Sequence, residues 1–475
     1  MNEYDKLYID GEWVTPLAGE PFEVVNPATE DLCARISLGS AEDVGCAVRA
    51  ARRAFPIFST SSKAFRIALL ERIVKAIASR TPELAAAVTQ ELGTPVNAMI
   101  HIDGAIATFK QAIKTLSEYE FESRVDGNIV RREPIGVCGL ITAWNWPVQL
   151  LCTKLSAALA AGCTVVAKPS EFTSITAIKL TEALHAAGIP RGVFNLVLGD
   201  GATVGSAITK HPDIELVSFT GSTKAGILVA QAAAPTVKRV CQELGGKSAN
   251  IVLRDADLRE AMRWNVARGF ANSGQSCHAP SRILVHEAQL GEALRHIRAA
   301  VAEVRVGDPL DPATTMGPLV NRAQFDRVSA YIERGLSEGA RLVCGGLGRP
   351  EGLRRGYFIK PTVFADVQPH MIIAQEEIFG PVLSVMTYET EEEAVSIANA
   401  TPYGLGGFVF TRDREKGLSI GRQIRAGRVF LNGSPSNMAA PMGGYKQSGN
   451  GREMGVFGLE EYLEVKAMIG FDDAA

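Results

Sequence analysis

The chain has 475 residues, 46% of them hydrophobic and 21% charged, with a net charge of -3. That length exceeds a single compact core and implies two or three domains. The near-neutral balance, with no basic cluster interleaved with aromatics, argues against a nucleic-acid partner, and the lack of any run of 18 apolar residues argues against a membrane span.

The N-terminal Met1-Asn2-Glu3-Tyr4-Asp5-Lys6 lacks the charged region and apolar core of a secretory signal. Eight cysteines are scattered at 33, 46, 138, 152, 163, 241, 277 and 344, with no CxxC pair and no Cys/His cluster. A disulfide framework and a metal site are therefore not expected, and a cytoplasmic, reducing location is.

Residues 1–40 read as short extended pieces, with Asp10-Gly11 marking a hairpin between Leu7 and Val14. Ala64 to Arg80 carries Ile67, Leu70, Val74 and Ile77 on one stripe at helical spacing. Thr81-Pro82-Glu83 has the makings of a helix start, with Thr81 as the capping hydroxyl, and Gly93 of a stop. Residues 117–134, with Asp126-Gly127, predict a projecting hairpin. From residue 135 strands and helices alternate: strand 135–142, helix 150–161 closed by Gly162, strand 163–168, a helix, strand 193–198, helix 202–210, strand 214–219 and helix 222–233. That order implies a parallel sheet covered on both faces, with ligands at the carboxyl ends of its strands. After Val252 a second α/β unit is expected, with strands near 281–286, 340–344, 381–387 and 427–432. The tail 462–469 reads as a strand needing a partner edge, and the 117–134 hairpin of this chain or of a neighbouring subunit is the candidate.

Five stretches carry residue types suited to chemistry. Phe270 to Arg282 follows an amphipathic helix starting near Asp257 and holds Cys277 among Gly, Ala and Ser, so a thiol there is approachable, and polar neighbours favour the attacking thiolate. Glu243 ends an apolar strand before Gly245-Gly246, where burial would raise its pKa toward that of a useful base. Asn145, in Ala143-Trp144-Asn145-Trp146-Pro147, follows a strand and has an amide able to donate to an oxyanion. Lys168-Pro169-Ser170-Glu171 sets a cation and an acid at the next strand end, where they would hold ribose hydroxyls. Phe219-Thr220-Gly221-Ser222 runs from a strand into a helix whose free N–H groups suit a pyrophosphate. Taken singly, the first four have plainer readings: a buried thiol, a capping carboxylate, a turn asparagine and a surface ion pair. No GxGxxG is present, and Gly199-Asp200-Gly201 with Gly205 only approximates one.

Together these stretches, with Glu376-Glu377-Ile378-Phe379-Gly380-Pro381, Pro441 to Gly449 and Gly451-Arg452-Glu453, resemble the NAD(P)-dependent aldehyde dehydrogenase superfamily over nearly the whole chain. The resemblance implies a Rossmann-type parallel-sheet cofactor domain (1–116 and 135–244), an α/β catalytic domain (245–445) and a small β oligomerisation arm (117–134 and 446–475). It also implies a route: Cys277 attacks an aldehyde, Asn145 holds the oxyanion, hydride passes to the nicotinamide, and Glu243 activates the water that hydrolyses the thioester. Cofactor contacts are implied for Ile141, Thr142, Ala143, Trp144, Lys168, Ser170, Glu171, Gly201, Gly205, Phe219, Thr220, Gly221, Ser222, Leu244, Glu377 and Phe379. A substrate tunnel is implied for Trp146, Leu150, Thr153, Ser276, His278 and Met442, and a proton path for Lys154 and Glu453. Glu171 favours NAD over NADP, whose 2′-phosphate it would repel. The expected assembly is a homodimer or homotetramer.

The chain departs from commoner family patterns at Ala143, Ser276, His278 and Met442, which leaves the aldehyde open rather than the reaction class. The loop 432–440 carries no Arg or Lys, so no carboxylate clamp is visible in it. Two other readings remain: a CoA-acylating enzyme of the same fold, against which Glu243 argues, and a non-catalytic binding protein, against which the complete set of Asn145, Glu243 and Cys277 argues.

Overall fold

The computed structural model describes residues 2–96 and 100–470. Two large sheets organise it. The first has eight strands in the spatial order 449–450, Arg239–Glu243, Leu216–Thr220, Val137–Ile141, Thr164–Lys168, Phe194–Leu196, Leu7–Ile9, Glu12–Val14. Its five central strands are parallel, and the N-terminal hairpin closes one edge in antiparallel pairing around Asp10-Gly11. The chain fills this sheet outward in both directions from Val137–Ile141. The order therefore reverses between that strand and Leu216–Thr220, and the crevice outside their carboxyl ends is where such sheets take ligands.

Helix Pro147–Ala161 follows directly from this point. It starts three residues before the expected Leu150, because a proline in the first turn has no N–H to leave unpaired. Gly162, at φ 98°, ends it. The helix is buried almost all round, against helix Ile100–Glu118 and the sheet.

Other local expectations need adjustment. Helix Lys63–Ser79 buries Leu69, Leu70, Ile73 and Ile77, and the expected Ile67 and Val74 sit half-buried on its flank. Thr81 is the first helical residue rather than the cap, and its hydroxyl turns back to the Ile77 carbonyl. Gly93 does close that helix, at φ 75°.

The second sheet has seven strands in the order Arg341–Cys344, Thr362–Ala365, Val382–Tyr388, Arg282–His286, Ala249–Val252, Gly406–Phe410, Arg428–Leu431, parallel except for the first. Three of these, 249–252, 362–365 and 406–410, are absent from the expected set. The link between the sheets is Leu244–Ser248, and it is tight. A Cβ on Gly246 would stand 2.3 Å from the Cys277 carbonyl oxygen, so only glycine lets the two segments approach.

The tail strand Leu463–Met468 pairs antiparallel with Asn128–Pro134 of the same chain, in a three-stranded sheet completed by Glu122–Val125. The segment before it belongs elsewhere. Residues 449–450 extend the first sheet, and helix Gly455–Glu460 packs on helices Ile100–Glu118 and Pro147–Ala161. Among the described residues no helix is long and apolar enough to cross a membrane, and no group of three or more His, Cys, Asp or Glu is placed to hold a metal. All eight cysteines are free.

Candidate active site

Two cavities meet at Cys277. One, of about 180 Å³, lies at the reversal point of the first sheet. Ala143, Trp144, Asn145, Thr220, Gly221, Ser222, Leu244, Glu377 and Phe379 line it, together with Cys277, Leu150, Gly245, Gln324 and Arg327. Ile141, Thr142 and Phe219 are buried at the ends of the strands beneath. Ser222 caps helix Thr223–Ala233 by accepting from the Ala225 N–H at 3.2 Å, so the helix start faces the cavity with a positive partial charge. Thr142 Oγ1 and Thr220 Oγ1 are buried without a protein partner among the described residues. A polar guest at the strand ends fits that vacancy in the bonding. Trp144 and Phe379 meet edge to face at 5.3 Å, and Phe379 takes a left-handed φ of 62°.

Glu377 Oε1 accepts from the Gly246 N–H at 2.9 Å. Burial pushes its carboxyl up to about 7, partly offset by that bond and by Arg327 and Lys247. Lys168, Ser170, Glu171, Gly201 and Gly205 stand at the neighbouring strand end, outside the lining of this cavity. Lys168 Nζ donates to the carbonyls of Gly199 (2.7 Å) and Pro169 (2.8 Å) and lies 3.7 Å from Glu171 Oε2.

The loop carrying Cys277 is held by a closed set of bonds. Helix Leu258–Phe270 ends, and Asn272, Ser273 and Gly274 then take left-handed φ of 52°, 58° and 72°. Such conformations persist where their surroundings over-determine them. Asn272 Nδ2 donates to the Asn145 carbonyl (2.7 Å), Asn145 Nδ2 to the Gln275 carbonyl (3.1 Å) and Ser273 Oγ to the Gly317 carbonyl (2.8 Å). Gln275 Oε1 accepts from the Val320 N–H at 3.0 Å. The loop and the Asn145 turn thus lock each other. Asn145 retains a second amide hydrogen, and its Oδ1 is buried without a partner among the described residues. The resting thiol is not a ready thiolate, contrary to the expectation from its polar neighbours. Burial, then the carboxylates of Glu377 and Glu243, raise its pKa well above the ordinary thiol value.

Glu243 is buried, and its Oε2 has no hydrogen-bond partner among the described residues. Burial and the nearby Glu453 raise its pKa well above the carboxylate range, against the pull of Lys154, Arg452 and Arg428. Lys154 Nζ, fully enclosed, donates to Glu453 Oε1 at 2.6 Å and to Ser218 Oγ at 3.0 Å. Glu453 also reaches the wall of the second cavity.

That second cavity, of about 140 Å³, is lined by Trp146, Leu150, Thr153, His278 and Met442, five of the residues assigned to a substrate tunnel, together with Cys277; Leu150 and Cys277 line both cavities. Ser276 is not in its lining: it is buried and accepts from Trp146 Nε1 at 2.8 Å, fixing that ring. Gln149, Arg268, Arg428, Phe430, Met438 and Met454 complete the walls and were missed in the sequence. Arg428 is anchored through Nε to the Pro441 carbonyl (2.7 Å) and through Nη2 to that of Ala440 (2.6 Å).

Comparison with known proteins bears on this arrangement. The model of the aldehyde dehydrogenase family matches residues 13–468. A Pseudomonas protein described as 3-succinoylsemialdehyde-pyridine dehydrogenase is 50% identical over 475 residues, covering 99% of this chain and all of that one. A putative aldehyde dehydrogenase of Staphylococcus aureus is 45% identical over 99% of this chain and all of its own length. Among solved structures, a cysteine-to-alanine variant of aldehyde dehydrogenase C from Pseudomonas syringae, complexed with NAD+ and octanal, superposes with a TM-score of 0.98 at 49% identity, covering 99% of this chain and 98% of that one. Betaine aldehyde dehydrogenase of Staphylococcus aureus in complex with NAD+ gives 0.95 at 35% identity, over 98% and 94%.

Proposed function

The chain belongs to the aldehyde dehydrogenase family, and on that premise we propose that it oxidises an aldehyde to the carboxylic acid with NAD, through covalent catalysis at Cys277. The observation carrying this reading is that Cys277 alone of the candidate catalytic residues lines both cavities. An aldehyde carbon at its sulfur is open to the cofactor on one side and has its chain in the other cavity.

NAD, bound in the first cavity, supplies the hydride acceptor. Ser222 and Trp144 would contact its pyrophosphate, Glu377 and Phe379 its nicotinamide half, and Lys168, Ser170 and Glu171 its adenosine ribose. Gly201 and Gly205 are assigned to the same half. As Cys277 Sγ adds to the aldehyde, the free amide hydrogen of Asn145 and the Cys277 N–H stabilise the charge on oxygen, at a point fixed beforehand by the loop's bonds. The thiohemiacetal so formed gives up its hydride to the nicotinamide as its oxygen re-forms a carbonyl, and the thioester left on Cys277 is hydrolysed by water that Glu243 deprotonates. A carboxylate with a raised pKa is a stronger base once ionised. Glu453 and Lys154 would carry the proton away, since Glu453 joins the buried ammonium to the cavity wall.

The substrate proposed is an aldehyde on an extended, mostly apolar chain. Leu150, Phe430, Met438, Met442 and Met454 favour such a chain, and the Pseudomonas syringae relative holds octanal. The division into a cofactor domain (1–116 and 135–244), a catalytic domain (245–445) and an arm (117–134 and 446–475) is part of this proposal with one change: residues 449–450 and 455–460 pack with the cofactor domain, so the arm's second piece is the tail strand. A homodimer or homotetramer is also part of it. The arm leaves strand edges open, and Ile227, Leu228 and Val237 are 52%, 59% and 91% exposed on and beside helix Thr223–Ala233. Light scattering should give at least twice 50.8 kDa.

The central test is Cys277→Ala. It should abolish aldehyde-dependent NADH formation and leave NAD binding nearly intact. Retention of more than about one per cent of kcat would overturn the covalent route, since losing a nucleophile costs several orders of magnitude.

A further inference from the structure

His278, next in sequence to the nucleophile, has no part in the route just described. Its imidazole stands between two groups. Nε2 lies 2.6 Å from Arg268 Nη2, and Nδ1 lies 4.0 Å from Cys277 Sγ. Arg268 reaches this point from helix Leu258–Phe270, and the contact with His278 is its only hydrogen bond among the described residues. Nδ1 is in turn the only side-chain hydrogen-bond partner of Sγ among them.

The chemistry of the two groups fixes where the protons are. A guanidinium donates and never accepts. Nε2, facing it, must therefore present its lone pair. A neutral imidazole has one N–H, so that proton sits on Nδ1, facing the sulfur. Charging the ring would set N–H against N–H and add a third cation beside Arg268 and Arg428. Burial first, then those two arginines, accordingly push His278 down to about 3. A neutral His278 with Nδ1 already protonated cannot take the thiol's proton. It can only donate to sulfur.

We propose that Arg268 and His278 form a positioning pair for the nucleophile: Arg268 fixes the tautomer of His278, and the Nδ1–H so placed becomes a hydrogen-bond donor to Cys277 Sγ as negative charge develops there. The proposal rests on the reading of Cys277 as the nucleophile. It answers a specific need, because the other charged groups facing the thiol, Glu377 and Glu243, both oppose a thiolate. At 4.0 Å the contact is at the long limit for sulfur in the resting thiol, and it shortens as the sulfur becomes the stronger acceptor. The pair is specific to this arrangement: a histidine at 278 without an arginine at 268 would be free to take either tautomer.

Alkylation of Cys277 by iodoacetamide reads the thiolate without turnover. It would be followed on the full-length enzyme from about pH 6 to about pH 10, with the modified residue identified by mass spectrometry. His278→Phe and Arg268→Met should each slow alkylation about tenfold throughout that range, because well below the thiol's pKa the thiolate fraction falls tenfold for each unit by which the pKa rises. His278→Asn, which returns an N–H donor near the Nδ1 position, should recover most of the rate. An unchanged alkylation rate in both deletions would overturn the proposal, and so would a failure of His278→Asn to recover what His278→Phe lost, since that marks a packing role. If the variants do not fold, the nitrogen-15 histidine spectrum of the unmodified enzyme decides: a neutral His278 protonated on Nδ1 supports the pair, and one protonated on Nε2 overturns it. No aldehyde enters these measurements, so their failure leaves the dehydrogenase reading standing. That reading falls separately, if Cys277→Ala still turns aldehyde over.

Discussion

The two cavities that share Cys277 are built on different principles. The cofactor cavity is made at strand ends. Ala143, Trp144 and Asn145 are contiguous, as are Thr220, Gly221 and Ser222, and each run lies at the carboxyl end of its strand. Backbone groups, a helix start and two orphaned threonine hydroxyls do much of the work there. The substrate cavity is made of side-chain tips from helices, strand ends and loops far apart in sequence: Gln149, Arg268, Phe430, Met438 and Met454 share no local pattern. Geometry fixed by backbone tolerates little change. Geometry fixed by side chains can be retuned one residue at a time. The first cavity is thereby suited to an invariant cofactor and the second to a substrate that differs between relatives.

After that of Cys277→Ala, the largest expected effect falls at the buried Glu243. Glu243→Gln should leave hydride transfer fast and slow deacylation, so that rapid mixing shows a burst of NADH followed by a steady state reduced about 10²–10³-fold. The pH profile sharpens this. Because burial and Glu453 raise the Glu243 pKa, its base form is absent at low pH and grows in above the ordinary carboxylate range. The unmodified enzyme should therefore gain deacylation rate as pH rises through that region, and the variant should lose this limb. No burst, with an equally slow first turnover, would place Glu243 before hydride transfer.

The cofactor side should respond to a single charge. Glu171 lies 3.7 Å from Lys168, at the strand end assigned to the adenosine ribose, and its side chain is 20% exposed. Its carboxylate should accept from ribose hydroxyls and repel a 2′-phosphate, at about 1–3 kcal/mol, or roughly one to two orders of magnitude in kcat/KM. NAD should be preferred, and Glu171→Gln should narrow the gap by improving NADP use while leaving the ranking of aldehydes unchanged. Equal use of both cofactors by the unmodified enzyme would show that Glu171 turns away from the ribose.

The same contrast explains what was legible in the sequence. Motifs at strand ends are local, so Asn145, Ser222, Glu243 and Cys277 stood out as candidates; Asn145, Ser222 and Cys277 line one cavity, and Glu243 is buried, its pKa raised by Glu453. Arg268 and Arg428 did not stand out. A charged residue on an amphipathic helix or at a strand end ordinarily faces water, and only packing between distant segments turns these two inward. Three strands of the second sheet were missed for physical reasons. Ala249–Val252 and Thr362–Ala365 are buried at every position, so they carry no alternation, and Gly406–Phe410 opens with two glycines of low strand propensity. Thr81 failed as a cap because proximity to proline fixes a helix start only to within a residue. The pairing of the tail strand needed the fold itself, since sequence offers the edge but not whose edge it meets.

The smallest expected effect is the one that tests the contrast from the other side. Met442 lines the substrate cavity, and its backbone is tied to Glu453 by reciprocal N–H to carbonyl bonds of 2.8 and 2.7 Å. Those bonds belong to the main chain, so Met442→Ala removes only the side chain and leaves the Glu453–Lys154 pair in place. The lost contact is the thioether and its methyl group on a half-buried wall. Deleting such apolar bulk from a substrate pocket costs about 1–2 kcal/mol, or about tenfold in kcat/KM, for a substrate that touches it. Aldehydes long enough to pass Leu150 and reach Met442 should therefore lose about tenfold, while acetaldehyde and the KM for NAD should hardly change. Measured as kcat/KM across straight-chain aldehydes of increasing length, the loss should set in above a threshold length. A uniform loss at all lengths, or a matching rise in the KM for NAD, would mean that the two cavities are coupled through this wall and that the substrate side cannot be retuned alone.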